Sequence, residues 1–238
     1  MKQDIRGKTA LITGASTGIG KDIAIRLSNL GVNVILCARR IEALEETKAL
    51  CANDVKVQVF KMDMCDEKNI LDVVSKVEHL DYLINNAGVA EFMPFEETPT
   101  EVFDYVYSIN VRGPFILSKA VLPLLRKSEV PTIINVGSVV SNIAYEEEVA
   151  YCSSKHALLG MTKVMAKELM KEDIRVHILC PGGVTTEMVL RLRPDLANIP
   201  TMVPEDMSDI VEFWLTHRSN AVIDQINVHR CTKEPFQV

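Results

Sequence analysis

Short apolar runs rich in β-branched residues alternate with segments of helical periodicity along almost the whole chain. The runs predict strands at residues 8–13, 32–37, 55–60, 81–86, 132–137, 174–179 and 221–228. The segments between them predict helices at about 19–30, 41–52, 66–79, 99–127, 150–172 and 204–216. Because the runs are apolar throughout rather than alternating, the strands are expected to be buried on both faces, as in a parallel sheet covered by helices. The pattern therefore predicts one α/β domain over residues 1–238, a doubly wound, Rossmann-type sheet of about seven parallel strands with helices on both faces.

One segment, residues 182–203, breaks this alternation between the sixth strand and the last helix. It is long for a simple connection, so we expect either a functional flap over the substrate or a pair of short helices. Its Arg191 and Arg193 either receive an anionic substrate or are solvated helix charges. The three glutamates at 146–148 oppose an anion at the same entrance, so these charges do not select a substrate.

The net charge and the cysteine pattern exclude several function classes. A net charge of −6 and a pI near 5.5 argue against binding to nucleic acid or to an anionic membrane surface. There is no apolar run of about 20 residues and no signal-peptide pattern at the start. The six cysteines form no CxxC pair, which favours a reduced, cytoplasmic compartment, and the five dispersed histidines predict no metal site.

A glycine-rich turn, TGASTGIG at residues 13–20, follows the first predicted strand. In such a turn Gly14 permits the tight bend, Gly18 lets the backbone approach a pyrophosphate, and Gly20 lets the helix pack against its strand. The helix that begins there offers free N–H groups and a positive dipole end to phosphate. The spacing is GxxxGxG rather than GxGxxG, and a glycine turn alone is equally compatible with a plain βα connection. Its place between the first strand and the first helix favours dinucleotide binding.

In folds of this kind the residue that ends the second strand selects the dinucleotide: an acid binds a free ribose 2′-hydroxyl, and a basic group binds a 2′-phosphate. Here Cys37 and Ala38 are followed by Arg39 and Arg40, with no carboxylate in the acid's place. The arginines are alternatively solvated charges, but their planar donor forks and the missing acid favour NADP(H) over NAD(H). Asp63, after the third strand, either receives the adenine amino group or caps the next helix.

Three polar residues are expected to meet at the carboxyl edge of the sheet. Ser138 ends the fifth strand, and Tyr151 follows thirteen residues later on the next helix. Lys155 lies four residues beyond Tyr151, so geometry alone puts the two on one helix face. Asn110, within the long helix 99–127, either lines the same site or is an ordinary solvated or interhelical polar group.

Together these residues resemble the short-chain dehydrogenase/reductase family, in its single-domain branch. The matching motifs are TGASTGIG (13–20), NNAG (85–88), Asn110, Ser138, YCSSK (151–155) and PGGVTT (181–186). Each motif alone is weak, but all six occur in the family's order between residue 8 and about residue 186, which is highly specific.

The resemblance implies the roles of the polar residues. Tyr151 would be the general acid in carbonyl reduction and the general base in alcohol oxidation, and Ser138 would hydrogen-bond the substrate oxygen. Lys155 would hold the nicotinamide ribose and lower the pKa of Tyr151. An ammonium about 4 Å away at an effective dielectric near 20 is worth roughly 4 kcal/mol, or about three pKa units. Asn110 would support a water-linked proton path behind Lys155.

The resemblance also implies a set of contact residues. The cofactor site would comprise Gly14, Ser16, Thr17, Gly18, Ile19, Gly20, Arg39, Arg40, Asp63, Met64, Asn86, Ala87, Gly88, Tyr151, Lys155, Pro181, Gly182, Val184 and Thr186. Ser138, Val140 and Tyr151 would contact a small carbonyl or alcohol substrate. A homo-oligomer, dimer or tetramer, is expected from the family and from apolar residues beyond one helix stripe, such as Val164, Met165 and Leu169.

The last predicted strand ends without the glycine pair found in many family members. This departure weakens an assignment to 3-oxoacyl-thioester reductases and favours members that reduce small carbonyls, hydroxy acids or steroids. The resulting prediction is an NADP(H)-dependent oxidoreductase for a ketone or aldehyde and its alcohol. The alternatives are a 3-oxoacyl-(acyl-carrier-protein) reductase and a dinucleotide-binding sensor without turnover.

Overall fold

A parallel sheet of seven strands forms the centre of the molecule. The computed structural model describes residues 3–234. The strands are β1 (Thr9–Thr13), β2 (Asn33–Ala38), β3 (Val57–Lys61), β4 (Tyr82–Asn85), β5 (Thr132–Val136), β6 (Arg175–Pro181) and β7 (Gln225–Val228). They lie in the order β3-β2-β1-β4-β5-β6-β7, and every neighbouring pair is parallel. The predicted fold class is confirmed, with the largest boundary shift at β7, which begins at Gln225 rather than at residue 221.

The helices cover both faces of the sheet. They are α1 (Gly18–Asn29), α2 (Ile41–Ala49), α3 (Glu67–Ser75), α4 (Thr100–Tyr107), α5 (Gly113–Leu125), α6 (Val149–Leu169), α7 (Glu187–Leu192) and α8 (Pro204–Thr216). Short 3₁₀ turns lie at Phe95–Glu97, Val139–Ser141, Met170–Glu172 and Pro194–Asn198. Among residues 3–234, no helix has the length and apolar character that a bilayer span requires.

Alternate residues of β1 show how the two core layers arise. Ala10 and Ile12 join the apolar cluster beneath α1, α2 and α8, whereas Leu11 joins the cluster beneath α3, α5 and α6. All three side chains are fully buried, because successive strand residues point to opposite faces and both faces are covered. Each large aliphatic side chain buried in this way stabilises the fold by about 1.5–3 kcal/mol.

The strand order places a crevice between β1 and β4. The chain adds β2 and β3 on one side of β1 and then returns to lay β4 on the other side. The Thr13 hydroxyl, at the end of β1, accepts hydrogen bonds of 3.0 Å from the backbone N–H groups of Asn86 and Ala87. These bonds tie the turn after β4 to the glycine turn after β1, at the topological switch point where ligands bind in doubly wound sheets.

A buried polar ladder fixes α5 and α6 against the centre of the sheet. The Asn85 amide donates to Asn135 Oδ1 at 2.8 Å and to Ser118 Oγ at 3.0 Å. The Asn135 amide donates in turn to Thr162 Oγ1 at 2.8 Å. Because buried polar groups must find partners, these bonds specify how the two helices sit on β4 and β5.

The predicted helix 99–127 is interrupted in the structure. A π-helical turn, Ser108–Arg112, joins α4 to α5. Such turns carry an extra residue relative to an α-helix and occur frequently at functional sites. The periodicity of the apolar residues continues through the turn, so the sequence predicts one helix.

The segment 182–203 contains two short helical pieces, α7 and the 3₁₀ turn Pro194–Asn198, as one of its two interpretations predicts. Its ends are close together, because Thr185 N–H donates to the Met202 carbonyl at 2.8 Å. The Thr186 hydroxyl accepts from Val189 N–H and caps α7. The segment is therefore a hydrogen-bonded loop with two short helical pieces, and it lies at the carboxyl edge of the sheet.

Two of the three residues that suggested an oligomer surface belong to the core. Leu169 is buried beneath α6, and Met165 packs against the same cluster. Only Val164 is exposed, at 55%. The cysteines at 37, 152 and 180 are buried free thiols.

Candidate active site

A cleft of about 410 Å³ opens at the carboxyl ends of the central strands. It is lined by most of the residues predicted for the site: Gly14, Ser16, Thr17, Gly18, Ile19, Arg39, Arg40, Asp63, Met64, Asn86, Ala87, Gly88, Ser138, Tyr151, Lys155, Pro181, Gly182, Val184 and Thr186. Three predicted residues, Gly20, Asn110 and Val140, are not among its lining residues. Lining residues that the motifs do not indicate include Cys37, Met62, Glu187, Met188 and Val189.

The glycine turn has the geometry that a phosphate cradle needs. Gly14 and Gly18 have φ values of +67° and +55°, in the left-handed region that favours glycine. A Cβ on Gly14 would lie 2.9 Å from the backbone of Ala87, and a Cβ on Gly20 would lie 2.5 Å from Gly14 O. The Thr17 side chain, at the N-cap of α1, makes no capping hydrogen bond. The first N–H groups of α1 therefore remain available to an anion, and this end of the cleft fits a pyrophosphate.

The other end of the cleft holds Tyr151 and Lys155 on the first turns of α6. The Lys155 side chain is buried, its Nζ donates to the Val136 carbonyl at 2.8 Å, and it lies 5.8 Å from the centroid of the Tyr151 ring. Ser138 faces them from the end of β5 and donates its hydroxyl to the Pro181 carbonyl at 3.3 Å. The side chains predicted to meet here do meet.

The pKa values at this end correct the expectation that Lys155 lowers that of Tyr151. Burial raises the pKa of Tyr151 to about 12, a hydrogen bond with Ser138 opposes this, and the Glu148 charge adds to it. Burial also lowers the pKa of Lys155 to about 8. The Coulomb argument that predicts a three-unit fall leaves out the desolvation of both groups, which dominates here. The Lys155 ammonium is also directed at the Val136 carbonyl rather than at the phenol alone.

Asn110 lies in the π-helical turn and is fully buried, so the solvated interpretation is wrong. Its amide donates to the Val89 carbonyl at 2.9 Å and to Ser154 Oγ at 3.0 Å, and its Oδ1 accepts from Val89 N–H. A Cβ on Gly88 would lie 3.4 Å from Asn110 Oδ1 and 3.5 Å from Lys155 Nζ. Asn110 and Lys155 therefore approach Gly88 together, at a point where Gly88 and Lys155 line the cleft.

The end of β2 presents two arginines with different partners. Arg39 Nη1 donates to the Tyr105 hydroxyl at 2.9 Å, whereas Arg40 Nη2 lies 3.7 Å from Glu187 Oε2. Asp63 Oδ1 accepts from Cys65 N–H at 2.9 Å, and α3 is capped instead by Asp66. The interpretation of Asp63 as a helix cap is therefore wrong. Asp63 lines the cleft.

The charged residues predicted at the entrance, Arg191 and Arg193 and the glutamates at 146–148, have identifiable surroundings in the structure. Arg191 donates to both oxygens of Glu91, at 3.2 and 3.0 Å, and also to the Ala90 carbonyl. Arg193 pairs with Asp195 through two hydrogen bonds. Both arginines of the segment 182–203 are thus engaged by the chain itself.

Among the three glutamates, only Glu148 is buried, and burial raises its pKa while the Arg193 charge lowers it. It is the N-cap residue of α6, three residues before Tyr151. The Phe92 ring lies 6.2 Å from the Tyr151 ring, measured between centroids. Val140 packs with Val139 and Cys152 beside Tyr151, so it supports the wall of the site instead of lining it.

Three residues with specific contacts at the site, Tyr105, Glu187 and Phe92, are not indicated by any motif. Tyr105 is 66 positions from Arg39 in the chain, and Glu187 is far from Arg40. Only the packing of α4 and α7 against the cleft brings them there. The alternation of apolar and polar residues carries no signal for such pairs.

Known proteins are similar to this chain in sequence and in fold. A family model for the short chain dehydrogenases matches residues 8–197. The chain is 36% identical over 234 residues to the NADP-dependent 3-hydroxy acid dehydrogenase of Schizosaccharomyces pombe, covering 91% of this chain and 90% of that protein. It is 33% identical over 233 residues to the 3-oxoacyl-(acyl-carrier-protein) reductase of Rickettsia bellii, covering 93% and 95%. The closed form of a serine dehydrogenase complexed with NADP+ has a TM-score of 0.89 at 25% identity, covering 97% and 98%.

Proposed function

This chain belongs to the short chain dehydrogenase family, whose members are oxidoreductases acting on CH–OH groups, and from that membership we propose its specific reaction. The reaction is the NADP(H)-dependent interconversion of a ketone or aldehyde and its alcohol, with Tyr151 as general acid and base. The observation that carries the proposal is the meeting of Ser138, Tyr151 and Lys155 at one end of a cleft whose other end is the glycine turn.

The chain's own residues suit proton donation to a carbonyl oxygen. With a pKa of about 12, the Tyr151 phenol is protonated at neutral pH, which is the form that a general acid needs. Ser138 would hold the substrate oxygen beside it, and Lys155 would hold the nicotinamide ribose. When bound, the nicotinamide cofactor would supply or accept the hydride, and its oxidised form would add positive charge. Asn110 would support proton resupply behind Lys155, and the approach of both side chains to Gly88 supports this role.

NADP(H) is our preferred cofactor because Arg39 and Arg40 follow β2, where a carboxylate would bind a free ribose hydroxyl. The NADP-dependent relative and the NADP-bound structural neighbour support this preference. The cofactor would contact the turn at Gly14–Gly20, the turn at Asn86–Gly88 and the segment Pro181–Thr186, with Asp63 and Met64 near the adenine.

A small carbonyl compound or hydroxy acid is our first choice of substrate, supported by the 3-hydroxy acid dehydrogenase relative. The segment 182–203 would act as a flap over it, held by the Arg191–Glu91 pair. The second candidate is a 3-oxoacyl thioester, supported by the Rickettsia bellii relative. A nucleotide sensor without turnover is the third, and the presence of both Tyr151 and Lys155 speaks against it.

The test is a rate measurement of NADPH and NADH oxidation with a 1,2-diketone, a β-keto ester, a ketosteroid and an acetoacetyl thioester. We expect turnover with NADPH on at least one simple carbonyl. Turnover of the thioester alone would select the second candidate. Tight NADPH binding without turnover on a widened panel would select the sensor.

We further propose a cytoplasmic homo-oligomer, dimer or tetramer, formed by one domain over residues 1–238, of which the first two and last four lie outside the described residues. Phe115 is 52% exposed and lines a surface groove with Val111 and Met161 beside α4 and α5. Such an exposed apolar surface is typical of subunit contacts. Sedimentation at micromolar concentration tests this, and a pure monomer would contradict it.

A further inference from the structure

Adjacent arginines after β2 differ in whether their charge is compensated. Arg39 donates to the hydroxyl of Tyr105, on α4, at 2.9 Å. Arg40 lies 3.7 Å from the carboxylate of Glu187, the first residue of α7. The two guanidinium groups therefore have partners on different helices, α4 for Arg39 and α7 for Arg40.

A neutral partner and an anionic partner have different consequences for anion binding. The Tyr105 phenol fixes the direction of Arg39 without cancelling its positive charge, and Arg39 makes no ion pair with a carboxylate of residues 3–234. The Glu187 carboxylate compensates part of the Arg40 charge. A guanidinium has five donors, so Arg39 keeps most of its fork free after donating to Tyr105. It is the better placed of the two to receive a phosphate.

Pre-orientation adds to this difference. Arginine has a long side chain that loses rotamer freedom when it binds a ligand, and holding it in place beforehand reduces that cost. Burial and the Asp63 charge raise the pKa of the Cys65 thiol, and the Arg39 charge lowers it. The Arg39 charge is therefore near the turn after β3, where Asp63 and Met64 line the cleft.

We propose that Tyr105 is a positioning residue that sets NADP(H) preference by holding Arg39 toward the 2′-phosphate, while Arg40 remains with Glu187 and contributes little. The inference rests on the proposed function, because it assumes a dinucleotide in this cleft. It adds a residue on a distant helix to the determinants of cofactor choice.

Two fragments of the cofactor test the proposal without any turnover: adenosine 2′,5′-bisphosphate, which carries the 2′-phosphate, and 5′-AMP, which does not. Calorimetric Kd values are measured for the wild-type protein, Tyr105→Phe, Arg39→Gln, Arg40→Gln and the double variant Arg39→Gln/Tyr105→Phe. Tyr145→Phe is the matched control, since it removes an exposed phenol at the C-terminal side of the molecule, where Tyr145 binds Lys233. Thermal unfolding of each variant checks its folding.

The wild type should bind the bisphosphate more tightly than 5′-AMP. We expect Tyr105→Phe to weaken bisphosphate binding about three- to tenfold, the loss typical of one hydrogen bond, with 5′-AMP unchanged. Arg39→Gln should weaken it more than tenfold, and Arg40→Gln less than about threefold. The double variant should bind like Arg39→Gln alone, because Tyr105 acts only through Arg39.

Several results would overturn the inference. One is a Tyr105→Phe variant that loses both fragments equally, loses neither, or binds the bisphosphate more tightly, which would mean that Tyr105 holds Arg39 away from the phosphate. Another is a larger loss in Arg40→Gln than in Arg39→Gln. If the wild type binds neither fragment, the proposed cofactor site itself is wrong, and the inference falls with it. If the wild type binds both fragments with equal affinity, the NADP(H) preference and this inference are both refuted, while the proposed dinucleotide site stands.

Discussion

The two ends of the cleft are built in opposite ways. At the reaction end, Lys155 is only 4% exposed and is fixed by a 2.8 Å bond to the backbone of β5. At the end of β2, where Arg39 and Arg40 lie, the Arg40 side chain is 59% exposed. The partners of these two arginines lie on helices that are distant in the chain, α4 and α7. One end is a rigid, desolvated site on a strand end and a long helix, and the other is a set of surface charges.

This difference separates two kinds of energetics. Burial raises the pKa of Tyr151 to about 12 and lowers that of Lys155 to about 8. At neutral pH the phenol is neutral in the folded and the unfolded state alike, so only the buried Lys155 ammonium carries a cost in stability. The exposed arginines act through charge in a solvent that screens them. Substitutions of Tyr151 or Lys155 should therefore have a strong effect on turnover or stability. Substitutions of Arg39 or Arg40 should have a moderate effect on the choice between NADP(H) and NAD(H).

The largest expected effect follows removal of the Tyr151 hydroxyl. Tyr151→Phe should lower kcat at least about 100-fold, because a positioned general acid contributes that much or more, while NADPH affinity stays within about twofold. Steady-state rates and nucleotide titration on one preparation check this. Tyr145→Phe, an exposed phenol, should retain wild-type turnover. Near-normal turnover of Tyr151→Phe would remove the tyrosine from the mechanism.

The next effect is a gain in stability at the expense of activity. Burial lowers the pKa of Lys155 to about 8 in the folded protein, from an ordinary value of 10.5, so its charged form is disfavoured by folding. At pH 7 this costs about 3 kcal/mol, since each pKa unit is about 1.36 kcal/mol. Lys155→Met should therefore raise the free energy of unfolding in urea at pH 7 while abolishing turnover.

The pH dependence of that gain is part of the same prediction. Between pH 8 and 10.5 the unfolded chain binds more protons at Lys155 than the folded protein does, so the wild type becomes more stable as pH rises through this window. The advantage of Lys155→Met should shrink over the same range. A variant that is less stable than the wild type at pH 7 would contradict the assigned cost of burial.

The extent to which the sequence predicts the site follows the same division. The strand ends at Thr13 and Ser138 and the helix that carries Tyr151 and Lys155 are fixed by continuous apolar runs and by helical spacing, so their meeting at the carboxyl edge is predictable. The direction in which the pKa of Tyr151 shifts is not predictable from the sequence. A pairwise charge argument omits desolvation, and desolvation is known only once the packed structure is known.

The contacts of the exposed arginines are also outside what the sequence reveals. The Tyr105–Arg39 bond joins residues 66 positions apart, and it depends on where α4 packs and on two side-chain conformations. The π-helical turn that buries Asn110 leaves the apolar periodicity of residues 99–127 unbroken, so pattern alone predicts a continuous helix. Tertiary packing decides both features.

A moderate effect should come from salt, and only at the exposed end. Raising the ionic strength from about 0.05 to about 0.5 M shortens the Debye length severalfold and screens the arginines. The NADPH-over-NADH preference in Kd should fall about three- to tenfold, whereas kcat at saturating NADPH should change less than about twofold. A preference that does not respond to salt would show that exposed charge is not its source.

The smallest expected effect lies at the rim of the reaction end. The Glu148 carboxylate raises the pKa of Tyr151, so Glu148→Gln should lower it. Because alcohol oxidation needs the phenolate, the rise of the oxidation rate should move to lower pH, by less than about one unit. Glu146→Gln, in an exposed position, should leave the pH profile unchanged. Equal shifts in both variants would point to a general charge effect.

The central claim is that this cleft transfers a hydride between NADP(H) and a carbonyl carbon with Tyr151 as the acid. The most direct measurement follows deuterium from NADPH labelled on either face of C4 into the product alcohol, by mass spectrometry, for the wild type and Tyr151→Phe. The account predicts one deuterium on the carbinol carbon with one of the two labels for the wild type, and a rate at least about 100-fold lower for the variant. Label transfer at the same rate in both proteins, or an alcohol formed without label from either cofactor, would contradict it.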